Sequence, residues 1–188
     1  MPTLYHSPQS RSDTVTTLIR MMGIEDQIDI VEVTIPRQDG SGARDPKNPH
    51  PEGKVPYLVD GEDHIRERGA IMLWLTDRYG SSLGRPVGHP ERGRYLSWLF
   101  YYQGVMEPVM LLDWAKIAHP AIEASLRDTA TMLAQMDAAL EKGPFLLGDE
   151  FSAADILCVG PFLWFGDQMQ STPGIRDWCA RSLQKMGG

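Results

Sequence analysis

Apolar positions along the first eighty residues change period in an ordered way. Thr3 to His6 is a short β-prone run ended by Pro8. From Ser12 to Met22, the residues Val15, Leu18, Ile19 and Met22 recur at helical spacing until Gly23 stops the pattern. Ile28, Ile30, Val31, Val33 and Ile35 then alternate with polar residues, with one phase shift, which predicts a second strand. Residues 36–51 carry four prolines and read as a surface loop. Tyr57 to Asp60 and His64 to Arg66, joined around Gly61, read as a hairpin, and Gly69 to Tyr79 as a helix with Ile71, Leu73, Trp74 and Leu75. The order is β-α-β, hairpin, helix.

Periodicity lapses from Gly80 to Pro90, so the chain divides into residues 1–80, a linker 81–90, and a helical part 91–188. Arg94 to Leu112 is rich in aromatics (Tyr95, Trp98, Phe100, Tyr101, Tyr102), and Pro108 should kink or split it. A helix from Ala121 is expected to carry Ile122, Leu126, Leu133, Met136 and Leu140 on one stripe as far as Gly143 and Pro144. Ser152 followed by Asp155 is a capping box, with Phe151 and Ile156 at the two ends of a hydrophobic staple. Loss of that serine hydroxyl should cost about 1 kcal/mol. Trp164 and Phe165 read as core.

Composition narrows the function. A chain of 188 residues, 42% hydrophobic, can bury a sizeable core, and a formal charge of −7 argues against a nucleic-acid surface. No apolar run approaches the ~20 residues of a membrane span, and the first residues lack a basic start with an apolar core, so a cytoplasmic location is expected. Cys158 and Cys179 lie far apart without a CxxC, which indicates neither a metal site nor a dithiol centre.

The segment Gly53 to Gly61 is the chemically richest. A Val55–Pro56 bond ahead of a short apolar run marks a bend, expected to be cis, that leaves the Val55 amide and carbonyl free to pair with an extended ligand. Glu67 then meets a helix N-terminus, where free N–H groups hold a carboxylate. The pair suits a short peptide.

These features in this order, together with Leu4 to Ser12, Gly53 to Pro56, Glu67 with Gly69, Ala70 and Ile71, and Leu147 to Ser152 with Ala154 and Asp155, resemble the glutathione transferase superfamily over nearly the whole chain. The start looks most like bacterial forms, with Ser10 where the beta class carries Cys. The resemblance implies an α+β chain: a thioredoxin-like first domain that holds glutathione as co-substrate, an all-helical second domain that lines the pocket for a small apolar electrophile, a homodimer, and no metal.

Glutathione's thiol, with a cysteine-like pKa of about 8.5, must be held as thiolate. A hydroxyl at the start of the first helix contributes about 1.5–3 kcal/mol as a charge-assisted donor and the helix N-terminus about 0.3–1, together about one to three pKa units. Ser10 fits that role by position, with Tyr5 as the contender and Arg11 as an assisting charge. Ser10 as a plain helix cap, a part Ser12 also fits, is the alternative. The resemblance further assigns Val55, before Pro56, to the cysteinyl backbone, Lys54 and His50 to the glycine carboxylate, and Glu67 to the γ-glutamyl amine. Arg68 departs from the usual serine: its guanidinium either grips the γ-glutamyl carboxylate or points into solvent. Trp98, Tyr101 and Tyr102 line the electrophile pocket or belong to core or dimer interface. Conjugation is the default chemistry, with isomerisation or dehalogenation through a transient adduct open. Reduction through a protein thiol is disfavoured, since both cysteines lie in the second domain. The rival is a non-catalytic protein of the same fold that binds a ligand or a protein.

Overall fold

The computed structural model describes residues 1–187 and divides into two compact units, Met1–Tyr79 and Gly80 onwards. In the first unit, β1 (Thr3–His6), α1 (Asp13–Met22), β2 (Asp29–Glu32), β3 (Tyr57–Asp60), β4 (Asp63–Ile65) and α2 (Arg68–Tyr79) form a mixed sheet of order β2-β1-β3-β4 with two helices. β1 and β2 are parallel, which requires the crossover that α1 supplies, whereas β3 and β4 pair antiparallel as a hairpin.

Alternation along the strands separates two faces. Leu4 and Leu58 are opposite each other and fully buried, on the face that α1 covers with Val15, Leu18 and Ile19 and α2 with Ile71, Met72 and Leu75. Tyr5 and Tyr57 form the next pair and turn to the opposite face, where His50 from the loop packs its ring 4.8 Å from that of Tyr57. The loop after β2 has no helix. The predicted second strand is shorter than its alternation, because the ladder ends at Glu32 and Val33 spends its N–H on the His6 carbonyl at 2.8 Å.

The second unit contains α3 (Arg92–Tyr101), α4 (Glu107–Trp114), α5 (Pro120–Ser125), α6 (Thr129–Leu140), α7 (Ala153–Phe165) and α8 (Pro173–Lys185). Pro108 does not split a helix in its middle: it sits in the first turn of α4, where its missing N–H is harmless, and a π-helical segment, Tyr102–Met106, takes up the irregularity before it. The single helix expected from Ala121 to Leu140 is two. Leu126 is extended and Asp128 caps α6, its carboxylate accepting from the Thr131 N–H at 2.7 Å, so a local cap overrides a plausible stripe. Trp164 is 58% exposed rather than core, and Phe162 packs against Trp178 instead.

The expected capping box starts α7. Asp155 reaches the Ser152 N–H and hydroxyl with Oδ2, and its Oδ1 accepts from the Leu146 N–H and the Trp178 indole N–H, each at 2.9 Å. The stretch read as a linker is packed: Arg85, only 2% exposed, binds Glu91 and Glu150 at 3.1 Å each and the carbonyls of Ser82 and Gly84.

Candidate active site

Strand pairing brings most of the proposed site residues to one end of the sheet. Because Tyr5 is opposite Tyr57 in an antiparallel pair, the residues leaving β1 run past those leading into β3. Leu58 opposite Ile65 sends Glu67 and Arg68 out at the same end. Both helices begin there, α1 just after Ser10 and Arg11, α2 at Arg68. Ser10, Arg11, Lys54, Val55, Pro56, Glu67 and Arg68 therefore share one rim. His50 joins them, for Glu67 and Arg66 lie close enough to pull on its titration in opposite directions.

The Val55–Pro56 bond is cis, and no other backbone group among the described residues claims the Val55 amide or carbonyl. The approach to it is braced. Asn48 donates to the Lys54 carbonyl at 3.0 Å, and Arg44 donates to the carbonyl of Pro51 at 2.8 Å. Gly53 adopts φ +65°, and a Cβ there would stand 2.9 Å from Cγ of that same arginine. Lys54 is exposed. His50 is buried, its Nδ1 accepting from the Glu52 N–H at 3.0 Å, and burial holds its pKa below the ordinary value. It thus offers a neutral Nε2–H, not a cation.

Two non-glycine residues beside the site have left-handed backbone, Gln9 at φ +55° and Glu67 at φ +67°, a conformation that costs about 1–3 kcal/mol each and collects at ligand-binding positions. Glu67 is exposed, and its carbonyl receives the Ile71 N–H at 3.0 Å, closing the first turn of α2. Arg68 is 5% exposed, which excludes the outward orientation.

Ser10 makes cap contacts at the start of α1, its Oγ accepting from the Ser12 N–H and its own N–H donating to the Asp13 carboxylate, so the cap reading holds beside the thiolate one. Ser12 takes the cap position of α1, yet its hydroxyl caps nothing. That buried Oγ lies 2.7 Å from Ser10 Oγ, 2.8 Å from His6 Nδ1, and 3.1 Å from both the N–H and the carbonyl of Ser7. The Ser12 N–H donates to Ser10 Oγ at 3.1 Å, and Asp13 accepts from the Ser10 N–H at 3.2 Å. Arg37 holds the outer side of this loop, donating to the carbonyls of Pro8 and Gln9 and to the Ser7 hydroxyl at 2.7, 2.9 and 3.2 Å. Sequence reasoning placed His6 and Ser12 within the Leu4 to Ser12 segment and gave Ser12 only a cap role, and it missed Asp13 and Arg37, whose contacts here depend on the folded loop. Strand alternation, which puts His6 on the same sheet face as Leu4, is the signal that could have found His6.

Tyr5 stands apart. It faces away from His6 and packs its ring 6.4 Å from that of Tyr57, on the sheet face opposite α1. In the second unit Trp98 and Tyr102 are buried core residues, and the ring of Tyr101 meets that of Trp98 edge-on at 5.6 Å. No group of three or more potential metal ligands occurs among the described residues.

Residues 4–86 match the family model of the glutathione S-transferase N-terminal domain, and residues 119–181 that of the C-terminal domain. Glutathione S-transferase F10 of Arabidopsis thaliana is 32% identical over 56% of this chain, which spans only about half (55%) of that protein. The disulfide-bond oxidoreductase YfcG of Escherichia coli is 30% identical over 70% of this chain and 67% of its own. The theta-class glutathione S-transferase of Xanthomonas axonopodis pv. citri, solved with glutathione bound, superposes with a TM-score of 0.69 at 25% identity, covering 96% of this chain and 91% of that one. Two consecutive domain matches, a relative of this identity and a shared fold agree with the rim of the sheet described above: the chain belongs to the glutathione S-transferase superfamily, a family that binds glutathione.

Proposed function

We propose that this chain binds glutathione along the rim of the first unit, ionises its thiol at Ser10, and transfers the sulfur to a small apolar electrophile. The observation that carries this reading is the open Val55 backbone at a cis Val55–Pro56 bond, on the same rim as the hydroxyl of Ser10 and the N-terminus of α2. The cysteinyl part pairs with Val55, Glu67 meets the γ-glutamyl ammonium, Arg68 the carboxylate beside it, and Lys54 with the neutral His50 the glycine end. Arg11 adds positive charge near the sulfur. Conjugation forms a carbon–sulfur bond as the leaving group departs with its electron pair. Ser10 is favoured over Tyr5 because the tyrosine turns to the other sheet face.

A second reading, glutathione-dependent disulfide reduction, is supported by the likeness to a protein named for that activity. It too would run on glutathione's sulfur. Cys158 is fully buried, and burial pushes the Cys179 thiol up to about 11, so neither protein thiol is a ready nucleophile.

Titration calorimetry with glutathione tests the binding: heat at millimolar ligand is expected, and none overturns the proposal. Steady-state assays with an aryl halide and with a small dialkyl disulfide then divide conjugation from reduction. Following thiolate absorbance against pH, Ser10→Ala should raise the bound thiol's pKa towards its free value while Tyr5→Phe leaves it in place. The opposite result gives the role to the tyrosine.

A further inference from the structure

The hydroxyl of Ser10 does not end at Ser12. It continues to His6 Nδ1 through contacts of 2.7 and 2.8 Å, and the other nitrogen of His6, Nε2, lies 3.9 Å from the Asp13 carboxylate. A serine oxygen has one hydrogen to give and two lone pairs to fill, and the hydrogens can be assigned from that limit. The Ser7 N–H occupies one lone pair of Ser12, and the Ser12 N–H one lone pair of Ser10. The Ser12 hydrogen has two acceptors, the Ser7 carbonyl at 3.1 Å and His6 Nδ1 at 2.8 Å; with His6 neutral and its hydrogen on Nε2, towards Asp13, the shorter contact takes it, Ser12 donating to Nδ1 and Ser10 to Ser12. Ser10 then turns its remaining lone pair outward, ready to accept an S–H. With His6 protonated on both nitrogens, every bond reverses. Nδ1–H donates to Ser12, Ser12 to Ser10, and the Ser10 hydrogen can only point outward, where a thiolate would need it.

We propose that Ser10, Ser12 and His6 form a proton relay that carries the thiol hydrogen of bound glutathione to His6 Nδ1 and leaves Ser10 donating to the thiolate; this rests on the glutathione reading above. The step balances. The S–H bond breaks, its proton joins Ser10 Oγ, the Ser10 proton passes to Ser12, and the Ser12 proton passes to Nδ1. The products are a thiolate and an imidazolium, with no net change in charge. Ser12 and His6 are positioning residues on this path, and Asp13 faces the charge that develops on the ring. The other charged group facing the imidazole is Glu32, opposite His6 on β2, while Arg37 binds the neighbouring Ser7 hydroxyl. Burial keeps His6 a neutral base at the start, while Asp13 and Glu32 favour its protonated form.

The relay makes a prediction about where the proton goes. Calorimetric titration of the native chain with glutathione at neutral pH, in two buffers of different ionisation enthalpy, should show almost no proton released to buffer even though ultraviolet absorbance reports thiolate. His6→Gln should release the proton to buffer whenever thiolate forms, and its thiolate fraction should fall about tenfold, one pKa unit. S-methylglutathione, which lacks the proton, should bind the variant within about twofold of the native chain; that probe also shows that the variant is folded. Release of a full proton per thiolate by the native chain overturns the relay and leaves the glutathione reading intact. An unchanged thiol pKa in His6→Gln does the same. Failure of the native chain to bind either ligand overturns the glutathione reading, and the relay with it.

Discussion

At the scale of single residues, Arg68 and His50 make the clearest demands. Arg68 is nearly buried at the first position of α2, so its side chain does not extend into solvent. If it grips the γ-glutamyl carboxylate, Arg68→Ser replaces a charge-assisted fork by a neutral hydroxyl and should lose about 1.5–3 kcal/mol, ten- to a hundredfold in affinity, along with part of the salt dependence. Calorimetry at two ionic strengths checks this, and equal or tighter binding identifies the side chain as an obstacle. His50 is held neutral by burial, its folded pKa below the 6.5 of an exposed imidazole. The sign follows from linkage: the unfolded chain takes up the proton first as pH falls, so this contribution to stability is complete above pH 6.5 and is lost on acidification through the lowered folded value. Thermal unfolding of the native chain should therefore weaken more steeply below that pH than unfolding of His50→Gln. Parallel slopes for the two proteins contradict the assignment.

At the scale of elements, what was legible depended on whether a signal was local. The β-α-β start, the hairpin, the bend at Pro56 and the capping box were readable because each is written in adjacent residues. The helix expected through Leu126 failed because a stripe of apolar residues is indifferent to Asp128, whose cap is local and stronger. Trp164 failed because α7, apolar after Asp155 in its first turn, has no polar face to say which side is buried. The candidate site divides in the same way. Val55, Glu67 and Ser10 were proposed from motif and position, whereas the contact of His6 with Ser12 exists only in the folded chain. Asp155 joins both kinds: the box with Ser152 was readable, its bonds to Leu146 and Trp178 were not. Asp155→Ala should strand the Trp178 indole N–H and the Leu146 amide in a dry core and cost about 3 kcal/mol or more, against about 1 for Ser152→Ala. Chemical denaturation measures both, and similar costs would show that the carboxylate acts only as a cap.

At the scale of the whole molecule, the second unit leaves unusual side chains in water. Phe100, Trp114, Ile117 and Trp164 are each more than half exposed, and Leu111, Leu163 and Leu183 are exposed as well. Single exposed apolar residues need no explanation, but bulky aromatics at this density on a unit of about a hundred residues do. Closed pairing of two copies is the commonest way for a soluble chain to cover such surface. Among the described residues no helix is long and apolar enough to cross a membrane. The chain is therefore expected to sediment at micromolar concentration with twice the 21.0 kDa of one copy. Replacing Phe100 and Trp114 by Glu and Lys should shift it to the single-copy mass while thermal unfolding remains cooperative, since neither side chain belongs to the core. A native chain that sediments as one copy contradicts the dimer. A paired chain that survives both substitutions shows that the contact lies on another face.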